Sequence, residues 1–138
     1  MLKGFDLSMA VEPGLARAIF TMFLVAEVHP FVDGNGRIAR AMMNAELTHA
    51  GLSRIIVPTA LRDDYLLALR AMSRSDNPDP ILKVMDRAQQ FTSELPLTSY
   101  VVATSVLTQC HAFDEPDEAR LRMPGSFAGH TAASTGPG

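Results

Sequence analysis

The sequence predicts an all-α protein, a bundle of helices around one core. Apolar residues recur at spacings of three and four along several segments, which is the period of an amphipathic helix. No pair of alternating apolar segments joined by an Asn-Gly type of turn predicts a β-hairpin. The β-branched run at 55–57 is too short to support a sheet. Glycine and proline separate the periodic segments, so we expect helices joined by short loops.

Five helices follow from this pattern. They are predicted over residues 14–28, 37–50, 59–74, 81–95 and 100–113. Pro30 cannot continue the first helix, and Asn35 is a plausible N-cap for the second. Residues 1–12 show no comparable pattern. We expect a single domain over 1–123 and a disordered tail over 124–138, where Gly, Ser, Thr, Ala and Pro leave little to bury.

Composition excludes several classes of protein. The 138 residues correspond to one domain, and the hydrophobic fraction of 47% is that of a globular protein. The net charge of −3 provides no electrostatic case for binding nucleic acid. No apolar run is long enough to span a membrane, and no secretory signal is visible, so we expect a cytoplasmic protein. The single cysteine, Cys110, excludes an internal disulfide and is expected to be buried filler.

The segment 29–40, His-Pro-Phe-Val-Asp-Gly-Asn-Gly-Arg-Ile-Ala-Arg, carries the chemistry. It reads as a helix end, a glycine-rich loop and a new helix N-terminus, where free backbone N–H groups and the helix dipole favour an anion. Arg37 and Arg40 share a helix face and are suited to clamping two phosphate groups. Asp33 suits Mg²⁺, which favours one or two carboxylates plus phosphate oxygens. His29 is the group in this segment that accepts a proton near neutral pH.

Together these residues resemble the signature of the Fic family (Fic/Doc, adenylyltransferase-like), H-P-F-x-[D/E]-G-N-G-R-x-x-R, at all nine defined positions. The resemblance implies a Fic-like helical bundle with the active-site loop between two central helices. It covers about residues 14–95 well and 97–123 weakly. It implies a protein adenylyltransferase that transfers AMP from Mg²⁺-ATP to a Ser, Thr or Tyr hydroxyl of a target protein.

The resemblance also implies a role for each signature residue. His29 would be the general base, Phe31 a buried anchor of the loop, and Asp33 the Mg²⁺ ligand. The phosphates of ATP would be bound by Gly34, Asn35, Gly36, Arg37 and Arg40. The branch of the family that phosphorylates its target alters the second glycine of the loop, and Gly36 is intact here, which favours adenylylation.

Two departures from the family leave alternatives open. Members usually carry a β-hairpin flap upstream that pairs with the target, whereas the 28 residues before His29 contain no hairpin pattern. The chain is therefore truncated, completed by another chain, or a non-catalytic remnant that binds nucleotide or a partner. A further alternative keeps the enzyme but changes the transferred group to UMP, phosphocholine or phosphate. Ser8 to Glu12 match the family's inhibitory motif too poorly to count, so any inhibition is expected from a partner chain.

Overall fold

A computed structural model describes residues 2–127, and within that range the protein is all-helical. We number the α-helices in chain order: α1 Leu2–Ala10, α2 Leu15–Val28, α3 Asn35–His49, α4 Arg62–Ser75, α5 Asp79–Ser93 and α6 Tyr100–Gln109. Two short 3-10 turns, Thr59–Leu61 and Pro124–Phe127, complete the regular structure. No strand occurs between residues 2 and 127, so the predicted all-α class is confirmed.

The predicted helices agree with α2 to α6 to within a few residues at most ends. The main error lies at the start, where residues 2–10 form α1 although the sequence predicted nothing there. Gly4, in the first turn of this helix, weakens the helical signal of the sequence, because glycine has a low helix propensity. A Cβ at Gly4 would lie 2.5 Å from Leu24 Cδ1, so the missing side chain allows α1 to pack closely on α2.

The core lies between two helix pairs. α2 and α3 pack most extensively on each other, α4 packs on α5, and α2 also contacts α5. The predicted apolar stripes of α2 and α5 are buried, as Ala18, Met22, Met85 and Phe91 are all fully inaccessible to solvent. Consequently the loop between α2 and α3 sits at one end of the central pair, as the family resemblance implied.

An extended segment at 55–58 connects α3 to α4 without any sheet to satisfy its backbone. The side chain of Asn44 takes over one part of this role, since its Oδ1 accepts from Ile55 N at 2.7 Å and its Nδ2 donates to Ile55 O at 3.1 Å. Thr92 Oγ1 accepts from Ile56 N at 2.9 Å. α3 and α5 thus hold the segment from two sides, and Pro58 at its end is buried.

The C-terminal region differs from expectation in two ways. The helix predicted over 100–113 ends at Gln109, and α6 buries none of its residues, so that Val101 and Val102 are exposed. Residues 124–127, predicted to be part of a disordered tail, form a turn in which Pro124 is buried and Gly125 N donates to Glu94 Oε2 at 2.9 Å. The rest of the predicted tail, 128–138, lies outside the described residues.

Cys110 follows α6 and is fully buried, as predicted. Among residues 2–127, none of the helices combines the length and the apolar character needed to cross a bilayer.

Candidate active site

The loop between α2 and α3 is shaped by two residues with positive φ. His29 ends α2 in the left-handed conformation (φ 47°, ψ 57°), and its N–H donates to Val25 O at 3.3 Å. Gly34 is the N-cap of α3 (φ 79°), a conformation that glycine adopts without strain. Its carbonyl accepts from the N–H groups of Arg37 and Ile38, both at 3.0 Å. The chain therefore reverses between two fixed ends, and the first N–H groups of α3 face the loop.

Asn35 is not the N-cap that the sequence predicted. It is the first residue of α3, and its buried side chain reaches back to Phe31 instead. Asn35 Oδ1 accepts from Phe31 N at 3.0 Å, and Asn35 Nδ2 donates to Phe31 O at 2.7 Å. This pair of bonds closes the loop in the way a short β-bridge would, and it makes Asn35 the residue that sets the loop's conformation.

Phe31 was expected to be buried, and this prediction is wrong. Its side chain is 49% exposed, and the neighbouring Val32 is fully exposed. Phe31 is held through its backbone by Asn35 rather than through its ring. The Phe31 ring is therefore not buried, and the described contacts that hold this part of the loop are the two hydrogen bonds of the Asn35 side chain.

Asp33 and Arg37 face each other across the loop. Asp33 Oδ1 accepts from Gly34 N at 2.6 Å, and Asp33 Oδ2 lies 3.9 Å from Arg37 Nη2. Both side chains are open to solvent, at 94% and 79% exposure, so the contact is a weak one. The carboxylate and the guanidinium are therefore both available to a ligand.

His29, Arg40 and the residues 32–37 together line a shallow depression of about 420 Å³. Both guanidiniums lie close to the loop backbone, since an ideal Cβ built at Gly34 would be 3.5 Å from Arg37 Nη2 and one built at Gly36 would be 3.5 Å from Arg40 Nη1, which is ordinary contact distance. The structure thus brings together every predicted site residue except Phe31, which does not line the depression.

Arg40 also lines a second depression of about 380 Å³, which the signature does not include. The wall opposite consists of Pro58 and Thr59, and Arg62, Tyr65 and Leu66 of α4 complete it. Because Arg40 belongs to both depressions, they form adjoining parts of one surface. Sequence reasoning missed Arg62 and Tyr65 as site residues. Their helix was predicted, but the pairing of its first turn with Arg40 depends on how α4 packs.

Tyr65 is almost fully buried, and its hydroxyl donates to Met22 Sδ with 3.7 Å between oxygen and sulfur. Burial raises the pKa of Tyr65 above its usual value, while the neighbouring Arg40 guanidinium works in the opposite direction. The phenol therefore remains neutral at physiological pH and supports one side of Arg40.

The geometry fits a Mg²⁺-nucleotide. Within residues 2–127, no cluster of three or more His, Cys, Asp or Glu side chains could hold a metal by itself. A Mg²⁺ ion bound here would therefore take one carboxylate, Asp33, and complete its shell with phosphate oxygens and water, which is how Mg²⁺ binds in nucleotide sites. The exposed Asp33 carboxylate at the loop edge satisfies that requirement.

The loop lies within a segment of the chain that matches a known protein family. Residues 3–47 match the family model described as Fic/DOC family. The chain is similar to "Protein adenylyltransferase Fic" of Drosophila persimilis, at 33% identity over 92 residues, which is 67% of this chain and 17% of the relative. It is similar to the protein of the same name from Nematostella vectensis, at 33% identity over 109 residues, 75% of this chain and 25% of the relative.

A third relative, "Protein adenylyltransferase fic-1" of Caenorhabditis briggsae, is 35% identical over 69 residues, 50% of this chain and 13% of the relative. The chain thus spans a quarter or less of the length of these relatives. No solved structure matches it.

Proposed function

This chain belongs to the Fic/DOC family, and from that premise we propose that it binds Mg²⁺-ATP and transfers AMP to a hydroxyl group of a target protein. One observation carries the proposal. The loop between α2 and α3 surrounds a single depression with a histidine, an exposed carboxylate, the N-terminus of a helix and two arginines. A base beside a phosphate site is what transfer of a nucleotide to a hydroxyl requires.

The proposed reaction is a displacement at the α-phosphorus of ATP. His29 takes the proton from a Ser, Thr or Tyr hydroxyl of the target as its oxygen attacks the α-phosphorus. The bond from that phosphorus to the oxygen bridging the α- and β-phosphates breaks. Pyrophosphate leaves with the bonding electrons, and the target carries AMP through a new P–O bond. In this scheme ATP is a co-substrate and the target is a protein.

The other site residues hold the phosphates during this step. The N–H groups at the start of α3, over Gly34, Asn35 and Gly36, donate to the oxygens of the phosphate under attack. Arg37 and Arg40 bind the phosphates that leave. Mg²⁺ bound through Asp33 would neutralise part of the phosphate charge. The left-handed backbone at His29 directs its side chain to the same depression as these groups.

The second candidate function is nucleotide binding without transfer, as a binding or interaction module. Phe31 and Val32 are exposed beside the loop, and no strand within residues 2–127 is available to pair with an extended target segment. Both observations concern target docking and leave the phosphate site intact. The two functions therefore differ in a measurable way, because only the first moves AMP onto a protein.

The test is incubation of the purified chain with Mg²⁺ and ATP labelled with ³²P at the α-phosphate, in the presence of a cell lysate. Relative to lysate without the added chain, we expect more label on protein from α-labelled ATP and no increase from γ-labelled ATP. His29→Ala should lower the labelling rate about 10²–10⁴-fold while leaving the affinity for Mg²⁺-ATP nearly unchanged. His49→Ala, at the exposed end of α3, is the matched control and should label normally.

The possible outcomes separate the candidates. Binding of Mg²⁺-ATP with no transfer of label supports the binding module. Equal labelling by wild type and His29→Ala refutes the role of the base. Label from γ-labelled ATP alone identifies a phosphotransferase, and label from UTP or from a phosphocholine donor identifies transfer of a different group.

A further inference from the structure

Two arginines face the second depression, and only one of them belongs to the Fic signature. Arg40 enters it from α3, and Arg62 enters from the first turn of α4. None of the described residues that line this depression is Asp or Glu. Within residues 2–127 neither guanidinium forms an ion pair with a carboxylate. The depression thus presents two positive charges that the protein itself leaves uncompensated, which favours an anion.

The depression is held in shape before any ligand arrives. Val57 and Pro58 form part of its wall. The side chains of Asn44 and Thr92 fix the two preceding residues, Ile55 and Ile56. The N–H of Thr59 donates to Ala112 O at 2.9 Å, which fixes the next residue of the wall. Tyr65 closes the floor as a neutral, buried phenol. Because these residues are already ordered, ligand binding here costs less conformational entropy, which favours affinity.

The carboxylates nearest to Arg62 in the chain form no ion pair with it. Asp63 and Asp64 follow it in the first turn of α4, where the helix dipole stabilises negative charge. Asp64 lines a different depression, together with Arg87 and Arg120. Arg62 and Arg40 line the same depression, and among residues 2–127 no carboxylate forms an ion pair with either.

The direction of a bound triphosphate follows from the order of the groups along α3. The phosphate under attack must lie beside His29 and the start of α3. Arg40 lies one turn further along the helix and belongs to both depressions. The phosphates leaving that point therefore run past Arg40 into the second depression, where Arg62 is the next cation.

We propose that Arg62 binds the terminal phosphate of the nucleoside triphosphate opposite Arg40, so that the second depression is a subsite for the leaving pyrophosphate. This inference rests on the proposed function for the identity of the ligand, but its anion chemistry can be tested separately. It makes Arg62 a specificity residue that favours triphosphates over diphosphates.

The experiment measures dissociation constants by calorimetry for Mg²⁺-ATP, Mg²⁺-ADP and Mg²⁺-pyrophosphate. Arg62→Ala should weaken Mg²⁺-ATP about three- to tenfold, the range for a charge-assisted contact at a partly solvated site. It should leave Mg²⁺-ADP within about twofold. Arg62→Lys keeps the charge but loses the planar guanidinium that can donate two parallel hydrogen bonds to a phosphate, so its loss of affinity for Mg²⁺-ATP should be intermediate. Arg70→Ala is the matched control, since it removes the same charge from α4 about 12 Å away along the axis.

Each outcome decides a different point. Equal losses for Arg62→Ala and Arg70→Ala would mean general attraction rather than a contact, and would overturn the proposal. So would equal losses for ATP and ADP. If the wild type binds no nucleotide but binds Mg²⁺-pyrophosphate in an Arg62-dependent way, the proposed function fails and the anion subsite stands. If it binds none of the three, both fail.

Discussion

Asn35 illustrates how a single side chain determines the conformation of the candidate site. Its two hydrogen bonds to Phe31 replace the backbone pairing that a loop of this kind lacks. A residue that both donates and accepts is required, and among residues of this size Asn meets that requirement. The signature position therefore has a structural explanation that is independent of any contact with phosphate.

We predict that Asn35→Ala opens the loop. Loss of both bonds should lower the free energy of unfolding by about 1–3 kcal/mol, because Phe31 N and O lose their partners. It should also remove most of the thermal stabilisation by Mg²⁺-ATP. Asn35→Asp keeps the acceptor, so its free energy of unfolding and its stabilisation by Mg²⁺-ATP should lie between those of the wild type and Asn35→Ala. Asn77→Ala, which loses a single exposed bond to Asp79 N, is the control. Normal stabilisation by Mg²⁺-ATP in Asn35→Ala would show that the loop holds its shape without this clamp.

Cys110 provides a pH prediction. Burial raises the pKa of the Cys110 thiol, and the negative charge of Glu94 acts in the same direction. In the unfolded chain the thiol deprotonates from about pH 8.5, whereas the folded chain retains the proton to higher pH. The unfolded state then binds fewer protons, so the free energy of unfolding falls as pH rises above about 8.5.

Urea denaturation between pH 7 and 9.5 measures this dependence. Cys110→Ala removes the thiol, so its stability should decline less steeply over that interval than that of the wild type. The comparison concerns the slopes, since the variant also loses packing. Parallel slopes for the two proteins would indicate that the thiol does not titrate differently in the folded and unfolded states.

At the scale of an element, the segment 55–58 is held by side-chain hydrogen bonds to its backbone, as Phe31 is held by Asn35. An extended strand with no neighbouring strand normally loses backbone hydrogen bonds. Here Asn44 of α3 and Thr92 of α5 satisfy Ile55 and Ile56 in place of a sheet. The connection between α3 and α4 is therefore ordered without being regular, and the wall of the second depression is part of it.

We predict that Asn44→Ala lowers the free energy of unfolding by about 1–3 kcal/mol, since Ile55 loses the partners of both its backbone groups. Thr92→Val should have a similar effect through Ile56. Thr48→Ala, one turn further along α3 on its exposed surface, should change stability by no more than about 0.5 kcal/mol. Chemical denaturation measures all three. If Asn44→Ala behaved like Thr48→Ala, the segment would be held by the burial of Ile55 alone.

At the scale of the whole molecule, ligand binding and global stability are linked. A ligand that binds only the folded chain raises the free energy of unfolding by about 2.7 kcal/mol at a hundred times its dissociation constant. Because the loop joins α2 to α3, the most extensively packed pair, a nucleotide bound there stabilises the centre of the fold.

Mg²⁺-ATP should therefore raise the melting temperature of the chain, and Arg37→Ala should remove most of that gain by deleting a charge-assisted phosphate contact. Arg74→Ala, in the last turn of α4, is the control that removes the same charge elsewhere. Thermal unfolding followed by circular dichroism measures the change. A wild-type melting temperature that does not respond to millimolar Mg²⁺-ATP would contradict nucleotide binding at this loop.

The sequence by itself determined the helical class, most helix bounds and the loop with its reactive groups. These features depend on short-range spacing: apolar residues every three or four positions, Pro30 at a helix end, and Gly34 where φ is positive. The residues 29–40 are close together in the chain, so their proximity in space needed no knowledge of packing. The same locality explains why the family resemblance was visible there.

Tertiary structure decided the rest, because it depends on which faces meet. The helix at 2–10 packs against Leu24, and the sequence of the helix itself does not predict this contact. The exposure of Phe31 and of α6 reflects which surfaces the described residues leave uncovered. Arg62 lies 22 positions after Arg40 in the chain, and only the packing of α4 brings both to one depression. Side-chain chemistry is local, but the set of side chains that face one ligand is a property of the fold.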